Sequence, residues 1–205
     1  MRGLIHKNRV HFKKITTSLI HKSLITYFMT KIGLISDTHG FLDEVVFEHF
    51  KDCDEIWHAG DIGSVEIIEK LQNFKPTKFV FGNIDTKEIQ WLVPENQHFT
   101  VEGLDVWMTH IGGSPPKYNP MVKKQFKEKI PDIFVCGHSH ILRAMRDEKH
   151  NNLIYLNPGA AGKEGFHKMK TLLRFTLDNG IPSNGIPSNG KMTNLEVVEL
   201  GLRGK

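Results

Sequence analysis

The stretch Ile32-Gly33-Leu34-Ile35-Ser36-Asp37-Thr38-His39 sets the terms for reading the chain. An apolar run, long enough for one strand, stops on an aspartate and a histidine, two side chains that bind metal ions. The arrangement returns four times. Residues 55–58 read as a strand that ends at Gly60-Asp61, and residues 78–81 as one that ends at Gly82-Asn83. Residues 105–109 deliver His110-Ile111-Gly112, and residues 133–136 deliver Gly137-His138-Ser139-His140. Between the first runs, residues 42–50 and 64–74 have helical spacing. In the second of these Ser64 is a candidate N-cap, and Ile67, Ile68 and Leu71 share one face. Strand and helix in alternation predict an α/β layered fold.

The later half is richer in strands. Residues 98–102 and 105–109, separated by Gly103-Leu104, predict a hairpin whose second strand leads to His110. Residues 117–129 predict a charged amphipathic helix stopped by Pro131. Residues 153–156, 172–177 and 195–200 complete the strands, so the second half forms a second sheet and the whole a β-sandwich flanked by helices. Residues 179–190 read NGIPSNGIPSNG, a tandem copy of a five-residue unit of turn formers. A duplicated surface hairpin loop between two late strands is expected there.

The chain has 205 residues, enough for one domain with a sizeable core. With 39% hydrophobic and 24% charged residues it is globular rather than disordered. No stretch approaches the roughly 18 continuous apolar residues of a membrane span. Cys53 and Cys136 sit in apolar runs and read as reduced core thiols of a cytoplasmic protein, with a single disulfide as the alternative. Residues 1–30 hold six of the 27 basic residues and none of the 23 acidic ones, so 21 against 23 remain and the body carries about −2. The formal charge of +4 therefore implies no cationic nucleic-acid groove. Residues 1–30 read as a basic extension ahead of a domain over 31–205. A wrongly assigned start, with Met29 as the true first residue, is favoured over a transit peptide.

The seven residues at the strand ends are Asp37, His39, Asp61, Asn83, His110, His138 and His140. Ligands bind outside the carboxyl ends of strands in layered α/β sheets, and placing these residues there would bring them together. Two Asp, four His and one Asn suit borderline ions such as Mn, Fe, Zn or Co, not an all-oxygen calcium site. An Asp carboxylate can bridge two ions, and a pair roughly 3.5–4 Å apart can clamp a phosphoryl oxygen and activate water. No Ser-His-Asp or reactive Cys arrangement is visible as an alternative nucleophile.

Taken in order, Asp37-x-His39, Gly60-Asp61, Gly82-Asn83-x-Asp85, His110 with Gly112, and Gly137-His138-x-His140 resemble the calcineurin-like metallophosphoesterase superfamily. The spacing is similar to its small single-domain branch of bacterial and archaeal phosphodiesterases, over about residues 31–200. The resemblance implies a four-layer αββα sandwich of two mixed β-sheets flanked by helices. It implies that Asp37, His39 and His140 hold one metal and Asn83, His110 and His138 the other. Asp61 would bridge them, a hydroxide between the ions would attack, and Asn83 would also reach the substrate phosphate. Asp61, Asn83 and His110 are the candidate catalytic residues. Mn is the expected metal, with Zn, Fe, Co and Ni also compatible. The sequence departs from the commonest pattern at Ile84, where many members carry a His that assists the leaving group. Diesters and activated aryl esters are therefore expected over poor monoesters, with Asp85 a weak substitute for the missing His.

Other histidines have plainer readings. His58 is expected to be a hydrogen-bonded strand residue, and His49, His98, His150 and His167 to be solvated. Asn157-Pro158-Gly159 resembles a turn that the family keeps beside its site, which implies a support beneath it; a plain tight turn is the equal alternative. The alternative function is a metallophosphoesterase-fold scaffold for protein–protein interaction, which should show eroded ligands. A polymer nuclease should show a cationic track. The expected partners are a small or exposed phosphodiester and a second copy of the chain in a homodimer.

Overall fold

The computed structural model describes residues 29–166, 168–180 and 190–204. The readings of the basic extension before Met29, of His167 and of residues 181–189 in the repeat lie outside the described residues. Strands β1 (Met29–Ile35), β2 (Glu55–His58) and β3 (Thr77–Phe79) alternate with helices α1 (Val45–Phe50) and α2 (Val65–Phe74), and α3 (Lys87–Leu92) follows. Next come β4 (Asn96–Val101), β5 (Leu104–Thr109), β6 (Gly113–Ser114), β7 (Lys117–Tyr118) and α4 (Pro120–Glu128). The last strands are β8 (Ile133–Val135), β9 (Leu142–Asp147), β10 (Leu153–Pro158), β11 (Met169–Asp178) and β12 (Lys191–Leu202).

Two five-stranded mixed sheets result, in the orders β12-β11-β1-β2-β3 and β4-β5-β8-β10-β9. In the first sheet the parallel strands β1-β2-β3 run out to one edge and the antiparallel β11 and β12 lie on the other side; in the second the parallel β5-β8-β10 are flanked on both sides by the antiparallel β4 and β9. The strand period of two makes the layers. Ile32, Leu34 and Trp57 from the first sheet meet Val106, Met108, Ile133, Val135 and Leu156 from the second. Their neighbours Ile35 and Ile56 turn outward onto α1, α2 and α3, packing on Val46, Phe50, Ile67, Leu71 and Ile89. On the far side, Trp107, Phe134 and Tyr155 turn out onto Val122 and Phe126 of α4. The result is helix, sheet, sheet, helix. Strands buried on both faces read as unbroken apolar runs, which is why they stood out in the sequence.

Several boundaries differ from expectation. The predicted 117–129 helix begins only at Pro120, because Asn119 caps it, its side chain accepting from Val122 N at 2.8 Å, and Pro120 fills the first turn. Lys117 and Tyr118 belong to β7 instead. Ser64 stands at the cap of α2, but its side chain makes no capping hydrogen bond. The β4–β5 turn is Glu102-Gly103, both with positive φ (50° and 77°), as a two-residue I′-type turn requires. Helix α3 and strand β9 were not foreseen; both are short, and β9 is mostly exposed. Strands β11 and β12 pair with Asp178 opposite Lys191, so the repeat joins the two arms of a hairpin.

Cys53 and Cys136 are free and buried, in separate clusters. Burial pushes both thiols up to about 11. Among the described residues no helix is long and apolar enough to cross a membrane.

Candidate metal centre

The carboxyl ends of five of the six parallel strands, β1, β2, β3, β5 and β8, point to one rim of the sandwich, and all seven candidate ligands lie in the loops just beyond them. Asp37, Asp61 and His110 are buried, at 0%, 2% and 2% exposure. His39 and His140 are half-buried, and Asn83 and His138 are open to solvent. Five of the seven, Asp37, His39, Asp61, His138 and His140, have φ between 47° and 66°. Asp and His tolerate this left-handed region better than most residues, yet each still costs about 1–3 kcal/mol and persists only where its surroundings enforce it. Backbone hydrogen bonds between the loops do so: Asp37 N to Gly60 O at 3.0 Å, His39 N to Asp61 O at 2.9 Å and Gly137 N to His110 O at 3.0 Å.

The ligand atoms fall into two groups that share one residue. Asp37, His39, Asp61 and His140 form the first and Asp61, His110 and His138 the second, with the donor atoms of each group within 4.8 Å of one another. In the first, His140 Nε2 lies 3.1 Å from Asp37 Oδ1 and 3.3 Å from His39 Nε2, and His39 Nε2 is 3.5 Å from Asp61 Oδ2. In the second, His110 Nε2 is 3.1 Å from Asp61 Oδ1, and the His110 and His138 rings meet edge to face at 5.2 Å. Asn83 lines a cavity of about 330 Å³ together with His110.

His110 tests whether a cation fits. Its Nδ1 donates to Ala59 O at 2.8 Å, which leaves Nε2 to face the Asp61 carboxylate. Despite the short separation, Nε2 is buried without a well-directed hydrogen bond. A buried polar atom without a partner is costly, and a cation there would satisfy both it and the carboxylate. The charges agree. Burial alone would raise the Asp61 carboxyl, but His110, the Ile84 N–H at 3.1 Å and His39 outweigh it and hold its pKa below the ordinary range. Burial opposes protonation of His110, yet Asp61 and Asp37 overcome it and raise that pKa. Burial and the neighbouring His110 lower the pKa of His138. His110 thus takes up a proton more readily beside Asp61 and Asp37, at the place a divalent ion would take. The donor set fits such an ion.

Three residues that are not ligands set the loops. His58 is buried, with Nδ1 accepting from Gly60 N at 3.3 Å and Nε2 against Thr38 Oγ1 at 2.9 Å; Thr38 in turn donates to Ile62 O at 2.9 Å. Burial pushes His58 down to about 4, so the ring stays neutral and ties the Asp37 loop to the Asp61 loop. Its expected role as a hydrogen-bonded strand residue is the one it has, but the partners it links were not legible. Asn157 donates to Gly137 O at 2.8 Å and to Ser139 Oγ at 3.2 Å, beneath the His138–His140 loop. Arg203, also unforeseen, places Nη1 3.5 Å from His140 Nδ1 and donates to Glu164 O at 2.8 Å. His150 is paired with Asp147 at 2.8 Å rather than simply solvated.

Asp85 has no role as a substitute acid. Its carboxylate accepts from Ile62 N at 3.1 Å, Gly63 N at 2.7 Å and Gly82 N at 2.7 Å, and so joins the Asp61 loop to the Asn83 loop. Asp85→Asn keeps the shape but turns an amide NH₂ toward backbone donors. It is expected to cost about 3 kcal/mol in denaturant unfolding and to weaken metal affinity about 10–100-fold. Wild-type affinity in a stably folded Asp85→Asn protein would contradict the positioning role.

Comparison with known proteins agrees with this geometry. Residues 30–180 match the family model described as the calcineurin-like phosphoesterase superfamily domain. A protein of Methanothermobacter thermautotrophicus named "Probable metallophosphoesterase" is 31% identical over 136 residues, which is 63% of this chain and 76% of that one. One of the same name from Mycoplasma pneumoniae is 30% identical over 138 residues, 64% and 79% of the two chains. Among solved structures, an archaeal phosphodiesterase superposes with a TM-score of 0.62 at 19% identity, over 83% of this chain and 99% of that one. Zinc-complexed Vps29 from Entamoeba histolytica gives 0.58 at 14% identity, over 82% and 98%. At these identities the two structures speak for the fold.

Proposed function

Because the chain belongs to the calcineurin-like phosphoesterase superfamily, we propose that it is a phosphodiesterase that works with two divalent metal ions, Mn first among them. The observation that carries this reading is the sharing of Asp61 by two groups of ligand atoms. Asp37, His39 and His140 would hold one ion, Asn83, His110 and His138 the other, and Asp61 both. When bound, such a pair supplies positive charge for the phosphoryl oxygens and acidifies a water.

The chain's own residues do the rest. Ala59 O fixes the His110 ring, so that Nε2 presents its lone pair toward the centre. Asn83, at the cavity wall, would donate its amide N–H to a phosphoryl oxygen. The next residue, Ile84, offers its backbone N–H to Asp61 and an apolar side chain to solvent, so it has no proton for a leaving group. Diesters with good leaving groups are therefore favoured over monoesters.

The test is to strip the protein of metal, add back Mn, and compare bis-p-nitrophenyl phosphate with p-nitrophenyl phosphate. Mn-dependent cleavage is expected, faster for the diester. A faster monoester would sink the diester assignment. A second reading, a fold retained for binding a protein, is favoured by the adjacent exposed side chains of Trp91 and Leu92 on α3, at 83% and 56%. Folded protein without activity under any divalent metal would select it.

A further inference from the structure

The cavity beside Asn83 and His110 has a wall that the reaction itself does not require. Phe81, Ile111 and Met121 give it an apolar lining, with Ile111 and Met121 each 41% exposed. At about 330 Å³ it is at the small end of ligand pockets. A diester bound at the centre has one ester arm beyond the scissile bond, and this cavity opens next to the residues that would hold the phosphate.

Among the described residues lining the cavity, Glu95 is the single carboxylate, and no hydrogen bond or ion pair within those residues holds it. Lys87, on α3, donates to Gln90 Oε1 at 2.9 Å; Gln90 is in the wall and Lys87 is not. Gln90 is itself fixed through Nε2 to Asp85 O at 2.8 Å. The cavity thus combines apolar surface with one free negative charge, a pairing that suits a cation carried on an apolar frame and repels an anion.

We propose that Glu95 is a specificity-determining residue that ranks the ester arm by charge, taking a cation-bearing arm before a neutral one and a neutral one before an anionic one. The substrate class is a phosphodiester with an amine or quaternary ammonium on its second arm. This inference rests on the phosphodiesterase reading.

The test uses two esters of the same shape, p-nitrophenyl phosphorylcholine and its uncharged isostere p-nitrophenyl 3,3-dimethylbutyl phosphate, on the Mn-loaded full chain. Wild type is expected to favour the choline ester in kcat/KM by about three- to fivefold, the upper range for an exposed ion pair. Glu95→Gln should bring the ratio close to one, and Glu95→Lys should invert it. A wild-type ratio of one, or the same preference in Glu95→Gln, overturns the proposal. If neither ester nor bis-p-nitrophenyl phosphate is turned over, the phosphodiesterase reading fails separately. The same pair is then compared by calorimetric titration, where wild type must still bind the choline ester more tightly and Glu95→Gln must not.

Discussion

Asp61→Asn is expected to lower kcat/KM for bis-p-nitrophenyl phosphate by on the order of 10³-fold or more, with the fold intact. Asp61 is the member common to both ligand groups, so the substitution removes a full negative charge from both at once. Losing one neutral hydrogen-bond donor in an active site already costs about 10²–10³-fold, and a shared anionic ligand should cost more. Asn keeps an oxygen for the Ile84 N–H that now donates to Asp61 Oδ1 at 3.1 Å, so the loop has little reason to move. The metal-free variant should still fold but be somewhat less stable than wild type near neutral pH, because the groups around Asp61 hold its pKa low and so favour the ionised carboxylate in the folded site. Metal binding to the native state alone stabilises it by about 2.7 kcal/mol per ion at a hundredfold excess over Kd. Mn should therefore raise the Tm of wild type clearly and that of Asp61→Asn much less. A variant that keeps the full Mn-induced shift and two bound ions by elemental analysis would refute the shared-ligand reading.

Gly82→Ala is expected to damage the site severely. A Cβ at position 82 would stand 2.1 Å from Asp61 Oδ1, 2.4 Å from Asp61 N and 2.7 Å from His110 Cδ2. None of these is the end of a flexible chain. Asp61 is held by the loop hydrogen bonds and His110 by Ala59, so relief requires the two loops to part. Overpacking of this kind costs typically about 1–3 kcal/mol. A displacement near 1 Å at a reacting centre costs about 10²-fold in rate, so activity should fall more steeply than stability. Gly204→Ala is the control, since a Cβ there meets nothing within 4 Å. Thermal unfolding and kcat/KM measured on both variants decide the matter. Near-wild-type activity in Gly82→Ala would mean that the site is looser than its packing implies.

Much of this centre is written locally. Apolar runs such as 32–35 and 133–136 are buried on both faces, so burial wrote them as continuous hydrophobic strings, and each stops on a metal-binding side chain at the end of its strand. The helical stripe of Ile67, Ile68 and Leu71 and the β4–β5 hairpin were legible for the same reason, because a period or a turn needs only near neighbours. The boundaries that moved did so where a single residue competed with the period, as Asn119 and Pro120 did at the start of α4.

The sequence by itself determined the layered α/β class, the order of the strands that carry Asp37, Asp61, Asn83, His110 and His138, and the kind of chemistry those residues suit. Only the tertiary structure decided that their donor atoms fall into two groups meeting at Asp61, that the backbone there is left-handed, and that Asp85 serves three backbone N–H groups instead of a leaving group. It alone made His58 and Asn157 ties between loops and set Glu95 in one wall with Phe81 and Met121. The physical reason is range. Periodicity and residue type act over a few positions, whereas each of these contacts joins residues brought together only when two sheets twist, pack and align the ends of their parallel strands.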